Sequence, residues 1–206
     1  MTGDAVQDVT ADADTFTCNV WLAPGETTTL IDAGAMPGVV EAVRDHVDDI
    51  DRVVLTHQHG DHVEQLGAVV DAFDPAVAAY ADHPLRTEGL ADGDDLRVGD
   101  EAVEVVHTPG HAADHVSLVG PTTLFSGDVV VHDDGAFDDG SFGRTDMPGA
   151  DRETLIDALE TLLARLPDGV EHMYAGHGSA FHGNVRAVVD RALSRAERRQ
   201  PKYPDE

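Results

Sequence analysis

Short apolar stretches recur along the chain between segments in which apolar residues return every three or four positions. The short stretches are rich in Val, Leu and Ile and are bounded by Gly, Pro or Asp, a pattern typical of buried β-strands. Gly25 is expected to turn a hairpin between the first two of them. This pattern predicts eight strands, at residues 15–22, 27–32, 52–56, 77–81, 102–107, 115–119, 122–126 and 171–175.

The segments with the longer period predict four helices. Pro37 suits the first turn of the first helix, and Asp151 is the expected N-cap of the third, which should end at the Pro-Asp-Gly turn 167–169. Strands and helices that mix without strict alternation indicate sheets covered by outer helices. The apolar positions of the four helices are Val39, Val40, Val43 and Val47; Val63, Leu66, Val69, Val70 and Phe73; Leu155, Leu159, Leu162, Leu163 and Leu166; and Val185, Val188, Val189, Ala192, Leu193 and Ala196.

Length and composition indicate one domain over residues 1–206, with about residues 1–13 and 200–206 expected to fray. No long apolar run suggests a membrane span, and the acidic N-terminus lacks the apolar core of a signal peptide. Cys18 is the only cysteine, so no internal disulfide can form. A cytoplasmic location is therefore expected.

The chain carries 40 acidic and 13 basic side chains, a formal net charge of −27, and Lys202 is its only lysine. Such a charge repels phosphate backbones and anionic lipids, so nucleic acid and membranes are not expected partners. Self-repulsion also strains the folded state, and molar salt relieves it because the screening length falls to about 3 Å. We hypothesise a halophilic protein from a high-salt cytosol; the alternative is an ordinary acidic protein.

The segment His57-Gln58-His59-Gly60-Asp61-His62 places four potential metal ligands in six positions, directly after an apolar run. In extended chain, His57 and His59 would point to one face, and a turn at Gly60 would bring the next two ligands back. Imidazole and carboxylate groups suit zinc, iron and manganese. A polar turn with solvated histidines is the alternative, and the density of ligands disfavours it.

Three more potential ligands, His111, Asp128 and His177, each follow a predicted strand and a glycine. Any one of them alone would be an ordinary solvated loop residue. Together with the segment 57–62 they make seven ligands, too many for one tetrahedral ion and about right for two divalent cations that share a carboxylate. We expect two ions, zinc above iron or manganese.

The order of these residues, with His-x-His-x-Asp-His at 57–62, resembles the metallo-β-lactamase superfamily from residues 27–34 to Gly178. The resemblance implies an α/β (α+β) fold, a four-layer αββα sandwich with the metal site at one edge of two sheets. It also implies a division of the ligands: His57, His59 and His111 for the first ion, Asp61, His62 and His177 for the second, and Asp128 bridging the two.

Within the superfamily, the segment 140–151 (GSFGRTDMPGAD) is similar to the glyoxalase II-like thioester hydrolases, especially their short form. A related motif occurs in persulfide dioxygenases, which use one iron. Asp128 in place of a cysteine argues against many true β-lactamases, and His59 stands where flavodiiron oxygen reductases carry a glutamate. Residues 129–139 are longer than expected and should reshape one wall of the pocket; only residues 178–206 follow His177, which leaves glutathione specificity open.

The leading hypothesis is a dinuclear metallohydrolase of a hydroxyacyl thioester, in which two cations generate a bridging hydroxide near neutral pH and Asp61 orients it. The alternative is a mononuclear iron persulfide dioxygenase that uses a subset of the ligands, such as His57, His111 and Asp128. A non-catalytic metal-binding module is the third hypothesis; its closed, four-coordinate site would not need seven ligands. The partner is a small-molecule substrate, and a homo-oligomer is left open.

Four other residues have two interpretations each. Arg144 either binds a substrate carboxylate or, as we favour, pairs with Asp146. Tyr174 either binds substrate beside His177 or lies in the core. Asp32 either orients a ligand histidine or caps a turn, and Cys18 is expected to be a small core residue rather than a nucleophile. The remaining histidines, expected to have surface or hydrogen-bonding roles, are His46, His83, His107, His115, His132, His172 and His182.

Overall fold

The computed structural model describes residues 6–200, which form two six-stranded sheets and a two-stranded ribbon. The first sheet has the order β1 (Gln7–Asp8), β2 (Trp21–Ala23), β3 (Thr29–Ile31), β4 (Arg52–Val54), β5 (Ala76–Ala79) and β6 (Glu88–Gly89). The second has the order β14 (Phe181–His182), β13 (His172–Ala175), β10 (Thr123–Gly127), β9 (Val116–Val119), β8 (Glu101–His107) and β7 (Asp95–Val98). The ribbon pairs β11 (Val130–Val131) with β12 (Ser141–Phe142).

Helices cover the outer face of each sheet. The inner layer between the sheets is a buried cluster that includes Ile31 and Val54 from one sheet and Leu118 and Phe125 from the other. Separate clusters join each sheet to its own helices. The predicted αββα sandwich is confirmed. Its helices are α1 (Val39–Arg44), α2 (Gly60–Val63), α3 (Leu66–Phe73), α4 (Arg152–Arg165) and α5 (Val185–Glu197).

Each predicted strand overlaps an observed one, but several bounds and elements differ. Most of the stretch 15–22 is not strand, since β2 begins only at Trp21. The pattern missed β1, β6, β7, β11, β12 and β14, which are short or polar. The expected fraying of residues 1–13 is wrong for residues 7–10, because β1 pairs with β2 and Thr10 is buried; residues 1–5 and 201–206 lie outside the described part.

The helix predictions hold best where a cap supports them. Asp151 is the N-cap of α4, and its carboxylate accepts a hydrogen bond of 2.8 Å from the backbone N–H of Thr154. The second predicted helix is two helices, α2 and α3, because the chain bends between Val63 and Leu66. The first helix ends at Arg44, before Val47. None of the helices within residues 6–200 is long and apolar enough to span a bilayer.

Parallel strand pairs position the site. Strands β3 and β4 are parallel in one sheet, and β10 and β13 are parallel in the other. The carboxyl ends of parallel neighbours meet at one edge of a sheet. Asp32, the loop 55–59, Asp128 and His177 follow these four ends within a few residues, so the fold itself brings their side chains towards one another.

Candidate metal centre

The seven predicted ligands lie together at the edge where the parallel strands end. The loop after β4 carries His57 and His59, and α2 begins directly after His59, so its first turn presents Asp61 and His62 to the same point. The loops after β8, β10 and β13 contribute the other three. The ligand atoms fall into three sets, each within 4.8 Å: His57, His59 and His111; Asp61, His62 and His177; and His57, His62 and Asp128.

The carboxylate of Asp128 lies between His111 of the first ligand set and His177 of the second. Its Oδ2 is 3.5 Å from Nε2 of His111 on one side and 3.4 Å from Nε2 of His177 on the other. Its Oδ1 is 3.5 Å from Nε2 of His62. In the second set, Asp61 Oδ2 is 3.2 Å from His177 Nε2. A carboxylate in this position can bind one ion in each ligand set at the same time, which is the geometry expected of a bridging ligand.

Two buried atoms of the centre fit a cation better than they fit each other. His62 Nε2 and Asp128 Oδ1 are buried, and neither has a hydrogen-bond partner within residues 6–200. Their separation of 3.5 Å is too long for a good hydrogen bond. A buried polar atom left unpaired costs about 1–3 kcal/mol, so such atoms call for a partner. Nitrogen and oxygen donors of this kind suit divalent zinc, iron or manganese.

The electrostatics agree with a site built for positive charge. Burial raises the pKa of Asp128, but the neighbouring His62 and His177 outweigh it and hold that pKa well below its usual range. Burial lowers the pKa of His177, but hydrogen bonds to Asp128 and Asp61 raise it to about 9. Coordination requires the unprotonated imidazole, so metal binding at neutral pH should release a proton from His177.

Two glycines let the backbone approach the centre. A Cβ atom on Gly176 would lie 2.0 Å from Asp128 Oδ1 and 2.8 Å from His62 Cε1. A Cβ atom on Gly143, in the segment 140–151, would lie 2.3 Å from the carbonyl oxygen of Asp128. A side chain at position 176 would have to displace the carboxylate of Asp128, and one at position 143 would have to displace its backbone carbonyl.

A family model described as the metallo-beta-lactamase superfamily matches residues 13–177. The chain belongs to this superfamily. It is 29% identical over 160 residues to a hydroxyacylglutathione hydrolase of Aliivibrio fischeri, across 74% of this chain and 59% of that protein. A hydroxyacylglutathione hydrolase of Hydrogenovibrio crunogenus is 32% identical over 104 residues, 49% of this chain and 39% of that protein. The chain thus spans less than two thirds of the length of these relatives.

Solved structures of the superfamily show the same fold. ETHE1 from Myxococcus xanthus superposes with a TM-score of 0.68 at 23% identity, over 92% of this chain and 89% of that one. TTHA1623, solved in a di-iron-bound form, superposes with a TM-score of 0.68 at 28% identity, over 85% of this chain and 93% of that one.

Asp32 holds one histidine of this metallo-beta-lactamase site in place. His62 Nδ1 donates to Asp32 Oδ2 at 2.9 Å, which turns Nε2 of the same ring towards the centre. The backbone N–H of Thr56 donates to Asp32 Oδ1 at 2.8 Å. The interpretation of Asp32 as the residue that orients a ligand histidine therefore holds. Its second hydrogen bond does not cap a turn of its own, but ties down the start of the histidine loop.

Arg144 contributes its backbone to the centre and its side chain to an ion pair. His111 Nδ1 donates to the carbonyl oxygen of Arg144 at 3.0 Å, so His111 Nε2 faces the centre. The guanidinium makes two hydrogen bonds to Asp146, of 2.9 and 2.7 Å, the pairing that the sequence favoured. The side chain of Arg144 also lines the cavity over the site.

Tyr174 and Cys18 lie away from the cavity. Tyr174 is buried between Trp21 and Phe125, with ring centroids 5.0 and 5.3 Å away, so the substrate contact predicted for it is wrong and the core interpretation holds. Cys18 is fully buried, and burial raises the pKa of its thiol to about 12. The thiol lies within 4.8 Å of ligand atoms of Asp32 and His62, a proximity that the sequence gave no sign of.

The sequence pattern also missed a role for His115. Its ring is buried, and burial lowers its pKa to about 3, so the ring is neutral. The backbone N–H of Asp128 donates to His115 Nε2 at 2.9 Å, which leaves the proton on Nδ1, and this donates to Thr108 Oγ1 at 2.8 Å. His115 thus fixes the backbone of the predicted bridging ligand. Its spacing, four residues after His111, was the only available sign.

We expect His115→Leu to weaken metal binding by about 10–100-fold, the usual effect of losing a group that orients a metal ligand. The change leaves the N–H of Asp128 without its acceptor. His115→Gln, which can keep an acceptor near the Nε2 position, should lose less. Competition with a chromophoric chelator measures the affinity, and His46→Leu, at an exposed histidine, is the control. Equal affinity in His115→Leu and wild type would contradict this role.

A cavity of about 780 Å³ opens over the centre. His59, Asp61, His111, Asp128 and His177 form its floor. Val131, Asp133 and Asp134 form one wall, in keeping with the prediction that residues 129–139 shape the pocket. Phe16 and Met147 add apolar surface, and nothing in the sequence pointed to Phe16.

Proposed function

We propose that this protein is a dinuclear metallohydrolase that cleaves a hydroxyacyl thioester. The observation that carries the proposal is the pair of three-ligand sets, His57, His59 and His111 against Asp61, His62 and His177, with the carboxylate of Asp128 between them. A structural metal site needs only four closed ligands. Five of the seven ligands line a cavity, which leaves positions open to water and substrate.

Two divalent ions bound there would lower the pKa of water and polarise a carbonyl oxygen, each worth several kcal/mol of barrier. The residues of the chain position these events. Asp61 lines the cavity and is half-buried. Its carboxylate can therefore belong to the second ligand set and also contact a water molecule that enters the cavity. From there it can accept a hydrogen bond from that water and orient it towards a carbonyl carbon. Asp32 and His115 keep His62 and Asp128 in place during turnover.

The thioester class rests on similarity and on the segment 140–151. The relatives named hydroxyacylglutathione hydrolase support a thioester substrate. Because the chain spans only 59% of the Aliivibrio fischeri relative, the identity of the thiol is part of the proposal. In the structure, the segment 140–151 supports the centre directly. The carbonyl of Arg144 holds His111, and the backbone N–H of Asp151 donates to the carbonyl of Gly110 at 2.8 Å.

A mononuclear persulfide dioxygenase is the second candidate, and one observation favours it. His57, His111 and Asp128 are all buried, whereas Asp61 and His177 of the other set are only half-buried. A single iron could therefore occupy the more enclosed part of the site. The presence of His59, Asp61, His62 and His177 around the same point favours the dinuclear hydrolase.

Metal content and substrate turnover separate the two candidates. Protein purified in molar KCl and loaded with zinc, iron or manganese should bind about two ions per chain and hydrolyse S-lactoyl thioesters. A chelator should abolish the activity, and the removed metal should restore it. Turnover by metal-free protein would overturn the proposal. One iron per chain with oxygen consumption on a persulfide would establish the second candidate instead.

A further inference from the structure

Phe16 is exposed at the mouth of the candidate centre. Its side chain is 79% exposed, and it is the one large apolar residue in the exposed class among residues 6–200. An exposed aromatic ring keeps apolar surface in water, at a cost that any apolar contact would relieve. Trp21, Phe125 and Tyr174, by contrast, are buried in the inter-sheet core.

The ring has a fixed position over one side of the site. It stacks on the imidazole of His177, with centroids 5.5 Å apart and planes 20° from parallel. The stack leaves the opposite face of the ring free for another contact. The loop that carries Phe16 is anchored on both sides, because Thr17 Oγ1 accepts a 2.8 Å hydrogen bond from the N–H of Ala35, and Thr10 Oγ1 donates to the carbonyl of Cys18.

Phe16 belongs to the wall of the cavity that holds the candidate centre. Val131 and Met147 line the same cavity and add apolar surface to it. The charged side chains of this wall are Asp133, Asp134 and Arg144, and the guanidinium of Arg144 is paired with Asp146. A substrate group in this cavity therefore contacts apolar and acidic surface. The cationic side chain of this wall, Arg144, is already paired with the carboxylate of Asp146.

We infer that Phe16 is a specificity-determining residue that packs against an apolar group of the substrate, favouring aryl or branched alkyl thioesters over small polar ones. This inference rests on the proposed thioester hydrolysis. The apolar group can belong to the acyl end or to the thiol end of the substrate. The contact forms when the substrate enters and covers the exposed face of the ring.

Two matched substrate series test the contact. Lactoyl and mandeloyl thioesters of N-acetylcysteamine differ by an aryl group at the acyl end. Lactoyl thioesters of ethanethiol and benzyl mercaptan differ by an aryl group at the thiol end. Phe16→Ala should lower kcat/KM for the aryl member of one series by about tenfold, mainly through KM, because apolar contacts of this size discriminate by that order. The non-aryl members should change by no more than about twofold.

Three controls make the result specific. Phe16→Leu, which keeps an apolar side chain, should fall between wild type and Phe16→Ala. Thr15→Ala, at an exposed neighbour that is not part of the cavity wall, should behave as wild type. Metal content should be the same in all variants. If Phe16→Ala loses metal and slows all substrates equally, Phe16 only supports His177 and the inference is wrong; unchanged selectivity in both series also overturns it.

A binding measurement separates this inference from the proposed function. Non-hydrolysable thioethers that mimic the aryl and non-aryl members are titrated into metal-loaded wild type and Phe16→Ala by calorimetry. Tighter binding of an aryl thioether, lost in Phe16→Ala, supports the contact even if wild type hydrolyses no thioester. In that case the proposed reaction fails while the apolar contact stands. Equal affinities for the two thioethers in wild type would reject the contact.

Discussion

Asp128→Asn is expected to lower kcat/KM for thioester hydrolysis by about a thousandfold or more and to reduce the bound metal from about two ions per chain to one or none. Asp128 faces both ligand sets, through His111 on one side and His177 on the other. The amide keeps the shape of the carboxylate but loses its charge, so it attracts two dications far less strongly. Metal analysis and steady-state kinetics on the same preparation measure both effects.

Asp138→Asn is the matched control for this change. It makes the same substitution at an exposed position ten residues along the chain that is not part of the cavity wall. It should bind metal and turn over substrate as wild type does. Circular dichroism of both variants checks that they fold. A fully active Asp128→Asn with two ions per chain would show that the carboxylate does not bridge them.

The second large effect concerns salt. We expect the Tm to rise by about 10 °C or more between 0.1 M and 3 M KCl, which for a domain of this size corresponds to roughly 3–5 kcal/mol. The formal net charge of −27 makes repulsion between surface carboxylates the main electrostatic term of the folded state. Raising the salt shortens the screening length from about 10 Å to about 3 Å or less, which removes most of this repulsion.

Salt also weakens the surface ion pairs, which lowers the Tm, but this effect is too small to reverse the expected increase. Pairs such as Arg165 with Asp92 and Arg144 with Asp146 are partly exposed, and each contributes about 0–1 kcal/mol that salt screens away. Thirteen basic residues can form few such pairs against 40 acidic ones. Melting is followed by circular dichroism at constant metal content, with NaCl as the control for screening without potassium. A Tm that does not change with salt would favour an ordinary acidic protein.

The candidate metal centre could be predicted because its residues lie close together in sequence or within a few residues of a strand end. His57, His59, Asp61 and His62 lie within six consecutive positions. A glycine directly precedes each of the other three residues, His111, Asp128 and His177. Potential metal ligands that lie this close in sequence can be recognised without coordinates. The pattern of short apolar stretches and helical periods predicted the longer strands and the outer helices, and the resemblance to the metallo-β-lactamase superfamily implied their arrangement as two sheets.

The remaining features depend on contacts between distant parts of the chain. His115 acts on a backbone N–H thirteen positions away, and no side-chain pattern encodes such a bond. Phe16 was placed in a strand because it belongs to the short stretch 15–22, but the observed strand begins only at Trp21. Tyr174 lies in the inter-sheet core, so its position three residues before His177 in sequence does not bring it to the site. Strands such as β6, with a glutamate and a glycine, carry no apolar signal.

The most direct test of the account is the anomalous diffraction of a crystal of the metal-loaded protein, recorded at the absorption edge of its metal. The account predicts two peaks about 3.5–4 Å apart. One peak should lie within about 2.2 Å of nitrogen atoms of His57, His59 and His111, and the other within that distance of donor atoms of Asp61, His62 and His177, with Asp128 bound to both. A single peak, or two peaks of which Asp128 contacts only one, would contradict it.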